Sequence, residues 1–330
     1  MKSRLDKYFK KYVDEFVFLE LMPEFVKRER LDFMRKVPMP VKKEHLKELS
    51  EEGSIKFKYF TDGMTDILGI DPEFKYRTQY ITFLRYINKN IVEAIAVSAV
   101  KEAQDGKLVH AAIMLRGALA IDSYDPDALY NYMLVCRNLY VTFDDKQKVS
   151  DFKSEVFELL ELLEEVKPDF PMTYYYLGYA HVNAGRYAEA ERAWKKFTML
   201  SEPCEELDEI KERISDLAVP VHIEEGYRNV IAGNYEKGLE ILSQYKDNES
   251  LQKWWPLNYY LGVANSRIGK YDQAIEYFKK ALKEAPSSIE ILQEMTIAYN
   301  AVSDELNAEK YMKKIEMVKK NQEKDKGVWD

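Results

Sequence analysis

Leu5, Phe9, Tyr12, Phe16 and Leu19 recur at steps of four, three, four and three, the spacing of one apolar helix face. Pro23 suits the first turn of a second helix running to about Arg35, which Pro38-Met39-Pro40 stops. Lys42–Leu49 predicts a short third helix. From Ser54 to Phe60, Ile55, Phe57 and Tyr59 alternate with Lys56 and Lys58, the period of a lone strand or an irregular crossing. Asp71 before Pro72 reads as an N-cap and first-turn pair, with one long helix or two following through Tyr76, Tyr80, Phe83, Leu84 and Ile87.

Beyond residue 90 the pattern repeats itself. YYYLGYAHVNAGRYAEAERAWKKF (174–197) aligns with NYYLGVANSRIGKYDQAIEYFKKAL (258–282) on its glycines. Each has Leu-Gly (Leu177-Gly178, Leu261-Gly262), a glycine seven residues on (Gly185, Gly269) and a tyrosine two further (Tyr187, Tyr271). An alanine (Ala190, Ala274), an aromatic (Trp194, Phe278) and a closing proline (Pro203, Pro286) follow. This spacing predicts a helical hairpin. The small residue lets two helices approach, and the second glycine ends the first helix in a left-handed conformation. The alanine packs the second helix on the first, and the proline prevents its continuation. One hairpin cannot bury its apolar face alone, so hairpins must stack.

The pattern resembles the tetratricopeptide repeat, whose period is about 34 residues. With Leu-Gly at repeat positions 7 and 8, further copies fall at 92–125 (Ala99, Gly106, Ala111, Ala118), at 126–167 (Met133 at the small site), at 219–252 (Gly226, Gly233, Tyr235, Gly238, Leu242) and at 289–322 (Thr296, Tyr299, Ala308, Ile315). The small sites 99, 133, 178, 226, 262 and 296 lie 34, 45, 48, 36 and 34 apart. Two steps need insertions: a longer second helix around Ser150–Val166, and an extra short helix, Glu205–Leu217, before Pro220. The resemblance implies an all-α fold, a right-handed α-solenoid of such hairpins behind a helical N-terminal region. The expected organisation is a helical region over 1–89 that caps the first edge, a repeat solenoid over 90–322 and a charged tail over 323–330.

Composition narrows the function classes. Thirteen Gly and eleven Pro among 330 residues are too few for a many-stranded β protein. The longest apolar run, Ile91–Val100, is broken by Glu93 and falls short of the roughly 20 residues of a membrane span. MKSRLDKYFKKY has no apolar core of a signal peptide. Cys136 and Cys204 form no disulfide framework, so the expected compartment is reducing and cytoplasmic. The net charge is −8, with a +4 excess over residues 1–50 and −12 beyond residue 90. Without clustered cations, nucleic acid is not expected as a partner.

Little in the sequence suggests catalysis. His45, His110, His181 and His222 show no metal-ligand spacing, so neither metal nor cofactor is expected, and His181 falls where the repeat buries a ring. Cys136 reads as a buried structural thiol; Cys204, beside Pro203 and two glutamates, reads as exposed and unreactive. Gly262 to Gly269-Lys270 imitates a phosphate loop but has six residues between its glycines instead of four, and Tyr271 replaces the Ser/Thr. The glutamate runs Glu161–Glu165 and Glu205–Glu209 read as solvated helix faces.

Tyrosine is the informative residue, with 24 copies. The resemblance implies that positions 2, 5, 9, 12 and 13 of each first helix line a concave groove. Here these positions supply Tyr130; Tyr175, Tyr179 and Asn183; Tyr227; Tyr259 and Arg267; Gln293 and Asn300. Rings contribute apolar area at little entropy cost, and hydroxyl and amide tips satisfy a peptide backbone. The same tyrosines could instead pack between hairpins. The Lys/Asn clamp with which some members hold a C-terminal carboxylate is absent: positions 5 and 9 carry Tyr175 and Tyr179, Ile223 and Tyr227, Tyr259 and Val263. The expectation is a non-enzymatic interaction scaffold holding a protein or peptide segment. The alternative is a peptide-sensing regulator whose N-terminal region acts on a target protein.

Overall fold

The computed structural model describes residues 3–46, 56–248, 251 and 253–326. Among these residues the chain is helical apart from one two-stranded ribbon, and it divides into two compact units, residues 1–180 and 181–330. The fold is an all-α helical repeat.

The first unit opens on α1 (Asp6–Phe9), a 3-10 stretch (Lys10–Glu15) and β1 (Phe16–Glu20). The single helix expected from Leu5 to Leu19 therefore stops at Phe9. Its second half finds a distant partner: β1 pairs antiparallel with β2 (Pro38–Lys42), Phe16 opposite Lys42 and Leu19 opposite Met39. The two prolines of β2 donate no backbone bond, which suits an edge strand. The helix expected from Pro23 to Arg35 is only α2 (Pro23–Arg28), because Arg30 turns left-handed and a 3-10 turn, Asp32–Met34, follows. Of the short third helix, a 3-10 turn at Lys43–His45 is seen, while residues 47–49 lie outside the described residues. The strand expected at Ser54–Phe60 is corrected too. Residues 54 and 55 are not described, and Phe57–Phe60 open α3 (Phe57–Ile70), whose residues 63–70 are all buried. Asp71 does not cap a helix directly. Its carboxylate accepts from the Glu73 backbone N–H (3.2 Å) in a turn, and α4 begins later (Arg77–Ile87).

Hairpins follow: α5 (Ile91–Gln104) with α6 (Leu108–Ile121), and α7 (Pro126–Tyr140) with α8 (Lys146–Val166). The 21 residues of α8 are the first expected insertion. Helix α3 lies on α6 at backbone distance: a Cβ on Gly69 would meet the Ile113 carbonyl oxygen at 1.9 Å, and one on Gly117 the Thr65 carbonyl oxygen at 2.3 Å. That contact is sealed by Arg116, buried, which donates from Nε to the Gly69 carbonyl (2.7 Å) and pairs with Asp6. Helix α9 (Pro171–Asn183) contains the division between the units.

The second unit comprises α10 (Tyr187–Leu200), α11 (Glu205–Asp216), α12 (Ala218–Ile231), α13 (Tyr235–Leu242), α14 (Trp255–Arg267), α15 (Tyr271–Glu284), α16 (Ile289–Ala301) and α17 (Glu305–Lys326). Helix α11 is the second expected insertion. Helix α17 continues through Lys326, into the stretch expected as a charged tail. Helices α12 and α13, α14 and α15, and α16 and α17 pack as hairpins. The turns carry Gly185, Gly233 and Gly269 at φ 69°, 86° and 81°, as Gly106 does at 80° in the first unit. In the last hairpin Ser303 takes that conformation at 60°. The core follows the repeat positions: Ala190, Trp194, Ala274 and Phe278 are buried.

Candidate functional site

In the second unit the first helices of successive hairpins touch, α12 with α14 and α14 with α16. Each second helix packs on the first helix that follows, α13 on α14 and α15 on α16. Between α13 and α15 lies an open crevice of about 530 Å³, lined by Glu240, Lys246, Asn265, Gln273 and Tyr277 among others. The first helices therefore form the closer-packed layer of this unit.

On that layer Tyr227 of α12 stacks on Tyr260 of α14, with centroids 4.9 Å apart and planes at 18°. Tyr259 meets Tyr260 edge-on at 5.1 Å and contacts Trp255 (6.0 Å) and Phe278 (6.2 Å). Burial pushes both Tyr227 and Tyr259 up to about 12, with nearby Glu224 and Glu294 respectively adding to the effect, so both stay neutral at physiological pH. Arg267 of α14 donates to both carboxylate oxygens of Glu294 on α16, at 2.9 and 2.7 Å. Arg228 of α12 donates to both oxygens of Glu189 (2.7 and 3.0 Å) and reaches Glu224 at 2.5 Å. Gln293 and Asn300 are exposed on α16, and Asn183 is exposed at the end of α9.

In the first unit Tyr130 of α7 packs edge-on against Phe170 (4.9 Å) and lies 6.3 Å from Tyr176 of α9. Tyr175 touches Tyr176 and Tyr179, each at 5.1 Å. All three expected tyrosines of this unit are half-buried. The structure thus places the expected tyrosines in two ring clusters, one in each unit, while Asn183, Arg267, Gln293 and Asn300 belong to neither. Reading the sequence by repeat position missed Phe170, Tyr176, Tyr260 and Glu294. The adjacent pairs Tyr175-Tyr176 and Tyr259-Tyr260 were a usable signal. Glu294 had one as well, lying 27 residues after Arg267, one repeat less two helical turns.

A second site was not legible at all. In the first unit a cleft of about 1170 Å³ opens beside β2, α3, α5 and α6. At its floor His110 lies between two carboxylates, Nδ1 3.0 Å from Glu102 and Nε2 3.2 Å from Asp66. The Lys42 ammonium is 2.9 Å from the same Asp66 oxygen and 2.9 Å from Nε2. The hydrogen bond to Asp66 raises the His110 pKa, against burial and Lys42, and the hydrogen bond from His110 lowers that of Glu102. The group acts as an electrostatic latch tying β2, α3, α5 and α6 together. Among the described residues no cluster of three or more His, Cys, Asp or Glu side chains suits a metal ion. Cys136 is buried, its thiol pushed up by desolvation, and Cys204 is exposed, as expected. No described helix is long and apolar enough to cross a membrane.

Residues 257–288, the α14–α15 hairpin, match the family model of the tetratricopeptide repeat. The other hairpins described above share the helix–turn–helix form of this matched unit. No curated protein sequence matches it. Among solved structures, a crystal structure of MamA is 19% identical over 55% of this chain and 96% of its own, with a TM-score of 0.32. MamA from residue 41 to its end, from Desulfovibrio magneticus RS-1, is 14% identical over 70% and 96%, with a TM-score of 0.27. YrrB, described as a TPR protein with an unusual peptide-binding site, is 17% identical over 64% and 96%, with a TM-score of 0.32. Likenesses this distant leave the argument resting on the hairpins themselves.

Proposed function

We propose that the chain is an interaction scaffold whose first helices hold a peptide segment of a partner protein, with residues 90–322 as the repeat array. One observation carries the reading. Tyr227, Tyr259 and Tyr260 are fixed by ring contacts on one layer of the second unit, and among the described residues no hydrogen bond to their hydroxyls is seen. Pre-positioned rings with unused donors and acceptors suit a backbone and its apolar side chains. The ring cluster of Tyr130, Tyr175 and Tyr179 presents half-buried aromatic rings on the first unit.

The test is capture from lysate of the source cells, quantified by mass spectrometry, with the full chain against the Tyr175/Tyr179/Tyr227/Tyr259→Ala variant. Partners lost with the variant, at unchanged helicity, support the groove. Partners kept by both move the binding surface elsewhere and return the tyrosines to packing.

A further inference from the structure

The inner layer of the second unit is short of free positive charge. Helices α12, α14 and α16 contain two cations between them, Arg228 and Arg267, and four glutamates. Both arginines are spent. Arg267 is held by both oxygens of Glu294, whose side chain is only 13% exposed. Arg228 is held by Glu189 and by buried Glu224, which is itself fixed by the Ala188 backbone N–H at 2.8 Å. A guanidinium whose fork is filled by a carboxylate of its own chain has no bidentate face left for a second one. Of the glutamates, Glu225 pairs with Lys237 (3.3 Å), and Glu290 accepts from the Ser288 hydroxyl (2.8 Å). Glu290 keeps its negative charge, which also disfavours acidic ligands, and the rest of what the layer offers is neutral: the three tyrosine hydroxyls, the amides of Gln293 and Asn300, and aliphatic surface such as Ile297, 49% exposed.

We propose that Glu294 determines specificity in this groove. By neutralising Arg267 it selects an uncharged, apolar segment of a partner protein and turns away acidic tails. The inference rests on the groove reading above and names its ligand chemistry. An acidic residue brought to Arg267 must displace Glu294 or sit beside it, and either arrangement leaves one carboxylate uncompensated. An uncharged segment meets no such cost. Its backbone exchanges hydrogen bonds with the tyrosine hydroxyls while its apolar side chains cover the rings and Ile297.

The experiment selects a phage-displayed random dodecapeptide library on the full chain, on Glu294→Gln and on Tyr259→Phe. The Gln variant keeps the shape of Glu294 and frees Arg267; the Phe variant keeps the ring and removes one hydroxyl. Selected peptides are then synthesised and titrated. The proposal expects wild type to enrich apolar peptides depleted in Asp and Glu. It expects these peptides to weaken several-fold on Tyr259→Phe, and Glu294→Gln to admit acidic peptides about tenfold more tightly than wild type does. Enrichment of acidic or basic peptides by wild type, weakened by Tyr259→Phe, overturns the specificity and leaves the groove standing. Peptides indifferent to both variants bind elsewhere and overturn both readings, as does a selection that enriches nothing.

Discussion

Replacing Gly262 with alanine tests whether the repeat packs as its spacing implies. Gly262 lies within α14, and a Cβ placed there would fall 2.5, 2.6 and 3.0 Å from three atoms of the Phe278 ring. That ring is fully buried among Ala274, Ala281 and Met295, so it has no open side into which to retreat. Overfilling such a site costs about 1–3 kcal/mol. Alanine recovers up to about 1 kcal/mol through its better helix propensity. The expected net loss is about 1–2 kcal/mol, or roughly 2–8 °C in Tm for a unit of this size. The assay is thermal unfolding followed by circular dichroism and by tryptophan fluorescence, since Trp255 packs on the same cluster. Phe278→Leu in the Gly262→Ala background should recover part of the loss, with a coupling of about 1 kcal/mol between the two changes. A Gly262→Ala chain as stable as wild type, or a double variant whose losses simply add, would refute the close approach of α14 and α15.

Three further outcomes are expected. His110 has a folded pKa raised above its unfolded value, so its contribution is fully present below about pH 6.5 and is lost as pH rises through the folded value. Denaturant midpoints measured across pH 5.5–8.5 should therefore fall more steeply for wild type than for His110→Gln, and parallel curves would remove the latch. Ser303→Gly relieves a left-handed serine at φ 60° and should raise stability by about 0.5–1 kcal/mol in urea unfolding; a loss would mean that the hydroxyl matters more than the strain. Tyr175/Tyr259→Ala should weaken partner capture while leaving the far-ultraviolet spectrum unchanged, and unchanged capture would sink the groove.

What the sequence disclosed was local. Leu-Gly, the turn glycine and the closing proline of a hairpin lie within one stretch of chain, so Gly106, Gly185, Gly233 and Gly269 could be placed at turns, and all four take positive φ. Both insertions were visible as departures from a 34-residue step. The N-terminal region misled because its structure depends on distant pairs. Phe16–Glu20 carries helical periodicity, and only its partner at Pro38–Lys42 makes it a strand. The alternation at Ile55, Phe57 and Tyr59 was too short to tell a strand from the first turn of α3. The same limit applies to the sites. Repeat position picked out Tyr227 and Arg267, but Tyr260 and Glu294 emerge as their respective partners only once neighbouring hairpins are stacked. His110 had no readable role because its partners Lys42 and Asp66 lie 68 and 44 residues away.

We propose that the N-terminal region is a fixed cap rather than a releasable effector, on the contacts it makes. Tyr80 donates to the Pro38 carbonyl (2.5 Å), and Arg77 and Arg85 donate to the carbonyls of Ala120 and Ile121 at the end of α6 (3.1 and 2.8 Å). Arg116 carries a charge with its side chain 6% exposed, compensated by Asp6 and the Gly69 carbonyl. Tyr8 donates to Asp151 (2.7 Å), and Ser3 to Glu155 (2.8 Å), on α8. Freeing the region would break these bonds and return to water the α3 face whose Met64, Ile67 and Leu68 are fully buried, at about 1.5–3 kcal/mol for each side chain. At that cost well under one molecule in a hundred is open at equilibrium. Limited proteolysis followed by native size exclusion should then yield no separate repeat fragment beginning near Ile91, with or without peptide. Arg116→Ala should release that fragment, because its Asp6 and Gly69 contacts are gone. Release from the wild-type chain at the rate of an exposed loop, or release that changes with bound peptide, would refute the cap and favour the regulator.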